Sequence, residues 1–150
     1  MRLIPAVLAV TVHEIAHGWV ALQLGDSTAA DAGRLSLNPL RHVDPIGTLL
    51  VPVALYIVST AAFGRPLAFG WARPVPVNWR NLHPRRAGIA AVAVAGPGSN
   101  LLMMGAWAVL GLTFKYSGGA FIVLIDMCKA GILFNACIMF INLVPIPPLD

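Results

Sequence analysis

The stretch that decides the fold is Leu3-Ile4-Pro5-Ala6-Val7-Leu8-Ala9-Val10-Thr11-Val12-His13-Glu14-Ile15-Ala16-His17-Gly18-Trp19-Val20-Ala21-Leu22-Gln23-Leu24-Gly25. It is long enough to cross a bilayer, which takes about 20 apolar residues. Its one formal charge is Glu14, and that carboxylate stands between two histidines. Met1-Arg2 before an apolar run superficially looks like a secretory signal. The run is interrupted at His13-Glu14 and closed by no small-residue cleavage site, so it reads as a retained helix.

Working outward, three further apolar segments follow: Ile46 to Phe63, Gly88 to Phe114 and Ala120 to Leu149. The second is short and contains Pro52; the third is free of charge; the fourth is charged only at Asp126 and Lys129. Across all 150 residues, 58% are apolar, 11% are charged and the mean hydropathy is +0.79. A soluble domain carries about 25% charged residues, so an ordinary soluble fold is excluded, as is disorder. The expectation is an all-α polytopic membrane protein. Three core transmembrane helices are expected, with Ile46–Phe63 as a short or re-entrant segment. Residues 1–150 read as a single core.

The links between these segments differ. Gly33 to Pro39 alternates like a short strand, and four prolines between 66 and 84 preclude a regular helix. Short β-like strands are therefore expected in these membrane-proximal loops. The net charge is +4, but the basic residues lie in loops, so they orient the chain in a membrane and nucleic-acid binding is not expected. Residues 64–87 carry five arginines and no acid, which makes that side cytoplasmic. Cys128 and Cys137 form no CxxC pair and read as small apolar packers.

On a helix, His13 and His17 share one face at i and i+4, so both imidazoles can reach one zinc ion. Glu14, next to the first of them, is placed to act as general base toward a water activated by the metal. A polar network bridging helices is the bland alternative. In hydrocarbon, two histidines around a glutamate are costly without a function. Two histidines leave zinc short of ligands. The candidates for a third are His42, His83, Asp26, Asp31, Asp44, Asp126 and Asp150. Asp150 stands out, because Pro145, Pro147 and Pro148 unwind the helix just before it.

These motifs resemble the site-2 protease family of intramembrane zinc metalloproteases, in its compact branch without a PDZ domain. The resemblance rests on four stretches in order: His13 to His17, Asn38 to Thr48, Gly96-Pro97-Gly98-Ser99-Asn100, and Asn142 to Asp150. It implies one Zn²⁺ per chain, held by His13, His17 and Asp150, with Glu14 activating water. It also implies peptide-bond hydrolysis in a membrane-spanning protein substrate within the lipid bilayer. Asn100 and Asn142 are candidate donors to the substrate backbone or the oxyanion, or else interhelical hydrogen-bond partners. In the family a glycine follows the aspartate, so a longer polypeptide, continuing past Asp150, is expected.

The zinc imposes a parity on the topology. His13 and His17 lie in the half of their segment nearer residue 25, and Asp150 ends the last segment. For all three to share one depth, residues 26–87 must cross the membrane an even number of times. That places the site nearer the cytoplasmic face. A small transporter or channel would spread ionisable residues through several spans, and Ile46–Phe63 and Gly88–Phe114 have none. A catalytically silent zinc scaffold would have no use for Glu14.

Overall fold

The computed structural model describes residues 2–67, 70–116 and 121–143. They fold into helices joined by turns and extended links, and no β-ladder forms among them. The chain divides into two compact units, residues 1–37 with 75–150 and residues 38–74.

The first unit is built on three long helices: α1 (Leu3–Gln23), α4 (Arg85–Tyr116) and α5 (Ile122–Leu143), each packed on the other two. One short turn of helix, α2 (Thr28–Asp31), follows α1. The 32 residues of α4 span about 48 Å at ~1.5 Å per residue, more than the roughly 30 Å hydrocarbon layer. Arg85 and Arg86 at one end and Lys115 at the other can therefore reach the headgroups. Pro97 sits inside this helix, where Ser99 Oγ donates to the Gly96 carbonyl (2.7 Å) one turn earlier.

Between α2 and α4, within the first unit, residues 75–83 run as an extended strap along α1. Leu82 is wholly buried with Ala21 and Val92, and Val20, Leu24 and Val77 pack on that cluster. Gly18 makes the approach possible: a Cβ there would lie 2.7 Å from both Val75 Cγ1 and Leu35 Cδ2. The His83 amide donates to the Leu24 carbonyl (2.9 Å), tying the far end of the strap to the end of α1.

In the second unit, a 3₁₀ turn (Pro39–His42) leads to a π-helical turn (Pro45–Leu50) that continues into α3 (Val51–Phe63). Asp44 starts this helix, its Oδ1 accepting from the amides of Ile46 (2.9 Å) and Gly47 (2.7 Å). Thr48 Oγ1 in turn accepts from the Asp44 amide (3.0 Å). Helix capping thus accounts for Asp44-Pro45. Gly64, at φ 64°, ends α3 in the left-handed conformation. Trp71 and Arg73 donate single backbone hydrogen bonds to Gly47 and His42, which pins the link without making a strand.

Among the described residues, four helical stretches are long and apolar enough to cross a membrane: Leu3–Gln23, Pro45–Phe63, Arg85–Tyr116 and Ile122–Leu143. Most of their apolar side chains face outward, with Leu102 77% and Val109 64% exposed. Such a surface is unsuited to water and suited to lipid.

The expected strands are not formed. In Gly33–Pro39 the chain is irregular up to Asn38 and Pro39 begins the 3₁₀ turn, and the described part of 67–79 is extended or irregular. An extended segment becomes a strand only when a neighbour offers a ladder of backbone groups. The strap instead meets side-chain carboxylates, Val75 donating to Glu14 and Asn78 to Asp26. The unwinding expected over Val144–Asp150 lies outside the described residues.

Candidate metal centre

α1 turns His13 and His17 onto its buried face, at 2% and 7% exposure. Their Nε2 atoms lie 3.0 Å apart, and the two rings meet edge to face. The other nitrogen of His17, Nδ1, is 2.7 Å from the carbonyl oxygen of Val92 on α4. Because a carbonyl only accepts, the proton sits on Nδ1 and the Nε2 lone pair points at His13. Asn142, from α5, places its Nδ2 3.0 Å from His13 Nε2, so in this orientation the amide donates to that nitrogen. The two imidazole Nε2 atoms and the Asn142 amide thus converge on one point.

The spacing fits zinc. Two nitrogens at 2.0–2.1 Å from a tetrahedral ion are about 3.3 Å apart, close to the distance in the structure. Gly96 of α4 lies directly over the pair. A Cβ at this position would overlap His17 Nε2 and come within 2.6 Å of His13 Nε2. The absent side chain keeps that point open to a small ion.

Glu14, the residue between, is partly buried, and its Oε2 accepts from the Val75 amide (2.8 Å). The strap that carries Val75 is anchored by Asp26, a wholly buried carboxylate just past α1. Asp26 accepts from the Asn78 amide (2.8 Å), Asn81 Nδ2 (3.0 Å) and both the amide and the hydroxyl of Thr28. Burial by itself would raise the Asp26 pKa, but these donors outweigh it and hold the carboxyl below its usual range.

α1, α4 and α5 therefore bring His13, His17, Gly96 and Asn142 together, with Glu14 on the strap side. Asn100 is wholly buried one helical turn past Gly96 and makes no hydrogen bond to these residues. Asp150 lies outside the described residues. Among the described residues no group of three or more His, Cys, Asp or Glu is gathered at a metal position. The other candidate third ligands have partners elsewhere. Asp31 accepts from Ser27 Oγ (2.7 Å), Asp126 pairs with Lys129 (3.5 Å), and His83 Nδ1 donates to the Asn81 carbonyl (2.7 Å). Sequence reasoning did not find Val92 or Val75, and it took Asp26 only as a candidate metal ligand, not as the anchor of the strap. The first two act through backbone atoms, which carry no residue signature, and Asp26 looks like any loop aspartate.

The chain is 40% identical over 98% of its length to the "Putative zinc metalloprotease YwhC" of Bacillus subtilis. It is a homologue of bacterial proteins that carry this name. It is also 31% identical over 95% of its length to the "Putative zinc metalloprotease Rip2" of Mycolicibacterium smegmatis, and 28% identical to the Rip2 protein of Mycobacterium tuberculosis. These relationships agree with the site-2 protease family that the motifs resemble, and zinc is the metal they imply. They do not favour a transporter or a silent scaffold. The chain spans 64% of the Bacillus protein and 51% of the mycobacterial ones. No family model and no solved structure matches it.

Proposed function

We propose that this chain forms the core of an intramembrane zinc metalloprotease that hydrolyses peptide bonds of membrane-spanning protein substrates. The observation that carries the reading is the pair of buried Nε2 atoms 3.0 Å apart, with a glutamate between the two histidines. His13 and His17 would hold the metal, with Asp150 as the third ligand implied by the family resemblance. Bound there, zinc would polarise the scissile carbonyl and make a water molecule more acidic.

The chain's own groups do the rest. The Val92 carbonyl fixes the His17 tautomer, and the Val75 amide holds the Glu14 carboxylate toward the strap. Glu14 takes a proton from the attacking water as oxygen bonds to the carbonyl carbon. It then gives that proton to the amine as the C–N bond breaks. Asn142, whose Nδ2 lies against His13, has a second N–H on that nitrogen to donate to the substrate backbone or the developing oxyanion. The substrate must unwind locally, since a helical carbonyl is occupied by its own hydrogen bond. The charge pattern and the parity argument support a site nearer the cytoplasmic face, with Pro45–Phe63 re-entrant or paired with a second crossing.

The test is zinc content and cleavage of a single-span substrate by the full-length protein. Glu14→Gln retains zinc and loses cleavage by a factor of about 100 or more, the usual worth of a general base. His13→Ala loses zinc and activity together. Full cleavage by Glu14→Gln would overturn the mechanism.

A further inference from the structure

Beyond the histidine pair, α4 and α5 hold buried polar groups that this chemistry does not use. Asn100 is wholly buried, and neither Oδ1 nor Nδ2 has a hydrogen-bond partner among the described residues. Asn135 is also wholly buried; its Nδ2 donates to the Gly131 carbonyl (2.8 Å), while Oδ1 has no partner among them. Trp107 Nε1 is buried and likewise has no acceptor there.

Their placement follows from two close approaches. A Cβ on Gly131 would lie 2.5 Å from Trp107 Cδ2, and one on Gly111 would lie 3.2 Å from Cys128 Cβ. α4 and α5 are thus antiparallel, with Trp107 level with Gly131. At ~1.5 Å per residue, Asn135 lies about 6 Å and Asn100 about 10 Å from that level. Both are displaced toward Gly96 and Asn142, which come about 16 Å along and meet the histidines. Asn135 and Asn142, seven residues apart, share one stripe of α5. The polar groups form a column with steps of about 4–6 Å, ending at the metal position.

An unpaired amide in an apolar interior is strongly disfavoured, and this column has four atoms without a partner among the described residues. Asn100 and Asn135 need a donor; Asn100 and Trp107 need an acceptor. The partner must do both and be small, which describes water. We propose that the α4–α5 interface binds a chain of ordered waters, held by Trp107, Asn135 and Asn100, that reaches the histidine site and supplies it with water. Each hydrolysed bond consumes one water, and a substrate seated at the site would obstruct entry from its own side. The delivery role rests on the protease reading; the water site itself does not.

The experiment is water-edited NMR of the full-length protein in lipid vesicles, observing the Trp107 indole and the Asn100 carboxamide, with substrate turnover measured in parallel. Both groups receive magnetisation from water in the wild type. In Asn100→Leu and Asn135→Leu the Trp107 transfer falls about fivefold or more, as expected when ordered waters are displaced. Turnover falls severalfold with KM and zinc content unchanged. No transfer to either group in the wild type overturns the water site. Reduced transfer with unchanged turnover overturns the delivery role. A wild type that cleaves no substrate sinks the protease reading, and the NMR still decides the water site.

Discussion

Gly96 shows what one missing methyl group can decide. The residue is buried on α4 over two imidazoles that belong to α1, and a Cβ would collide with His17 Nε2. Imidazole rings braced by Val92 and Asn142 cannot move aside without losing those contacts. Gly96→Ala therefore weakens zinc affinity about 10–100-fold, the range seen when a supporting contact of a metal ligand is disturbed. Metal titration with a competing chelator reads this directly, and unchanged helical content by circular dichroism separates it from misfolding. The histidine pair was legible in the sequence because i,i+4 spacing is a local rule of the helix. Gly96 stood out in the sequence only as part of the stretch Gly96 to Asn100, since its clearance is needed by side chains some eighty positions away. Gly98 stands in the same stretch, yet a Cβ there would meet nothing within 4 Å among the described residues.

Among the elements, the strap of residues 75–83 departs most from expectation. Its prolines correctly exclude a helix, but they do not say where its amides go. They go to Glu14 and Asp26, two carboxylates on and just past α1. Asp26 thereby makes folding depend on pH in a definite direction. Its pKa is lower in the folded chain than its ordinary 3.8. The stabilisation is complete above the unfolded-state pKa and is lost as pH falls through the folded one. Asp26→Asn lowers thermal stability by about 1–2 kcal/mol between roughly pH 5 and 8, where a charge-assisted acceptor is replaced by a neutral one. The gap between variant and wild type closes below about pH 4. Thermal unfolding in detergent across this range checks it; a gap that widens in acid refutes the assignment.

For the whole molecule, the outward apolar surface and the basic link at residues 64–87 set the expected topology. The proposed topology, in which residues 26–87 cross an even number of times, predicts Asp31 and Arg80 on the cytoplasmic side and Lys115 on the other. Single cysteines at 31 and 80 should be labelled by an impermeant maleimide from the cytoplasm alone, and one at 115 from the opposite face alone. Labelling of 31 and 80 from opposite faces would show that Pro45–Phe63 is a simple single span.

The sequence by itself determined the membrane class, four apolar segments that the helices follow where they are described, and a His-Glu-His face on the first. Those features follow from hydropathy and from the fixed period of the helix, which need no knowledge of neighbours. Tertiary structure alone decided which groups surround that face: the Val92 carbonyl, the space at Gly96, the Asn142 amide and the strap amide on Glu14. These are contacts between segments 60 to 130 residues apart. No periodicity encodes them, because they depend on how three helices and one extended strap fill the same space.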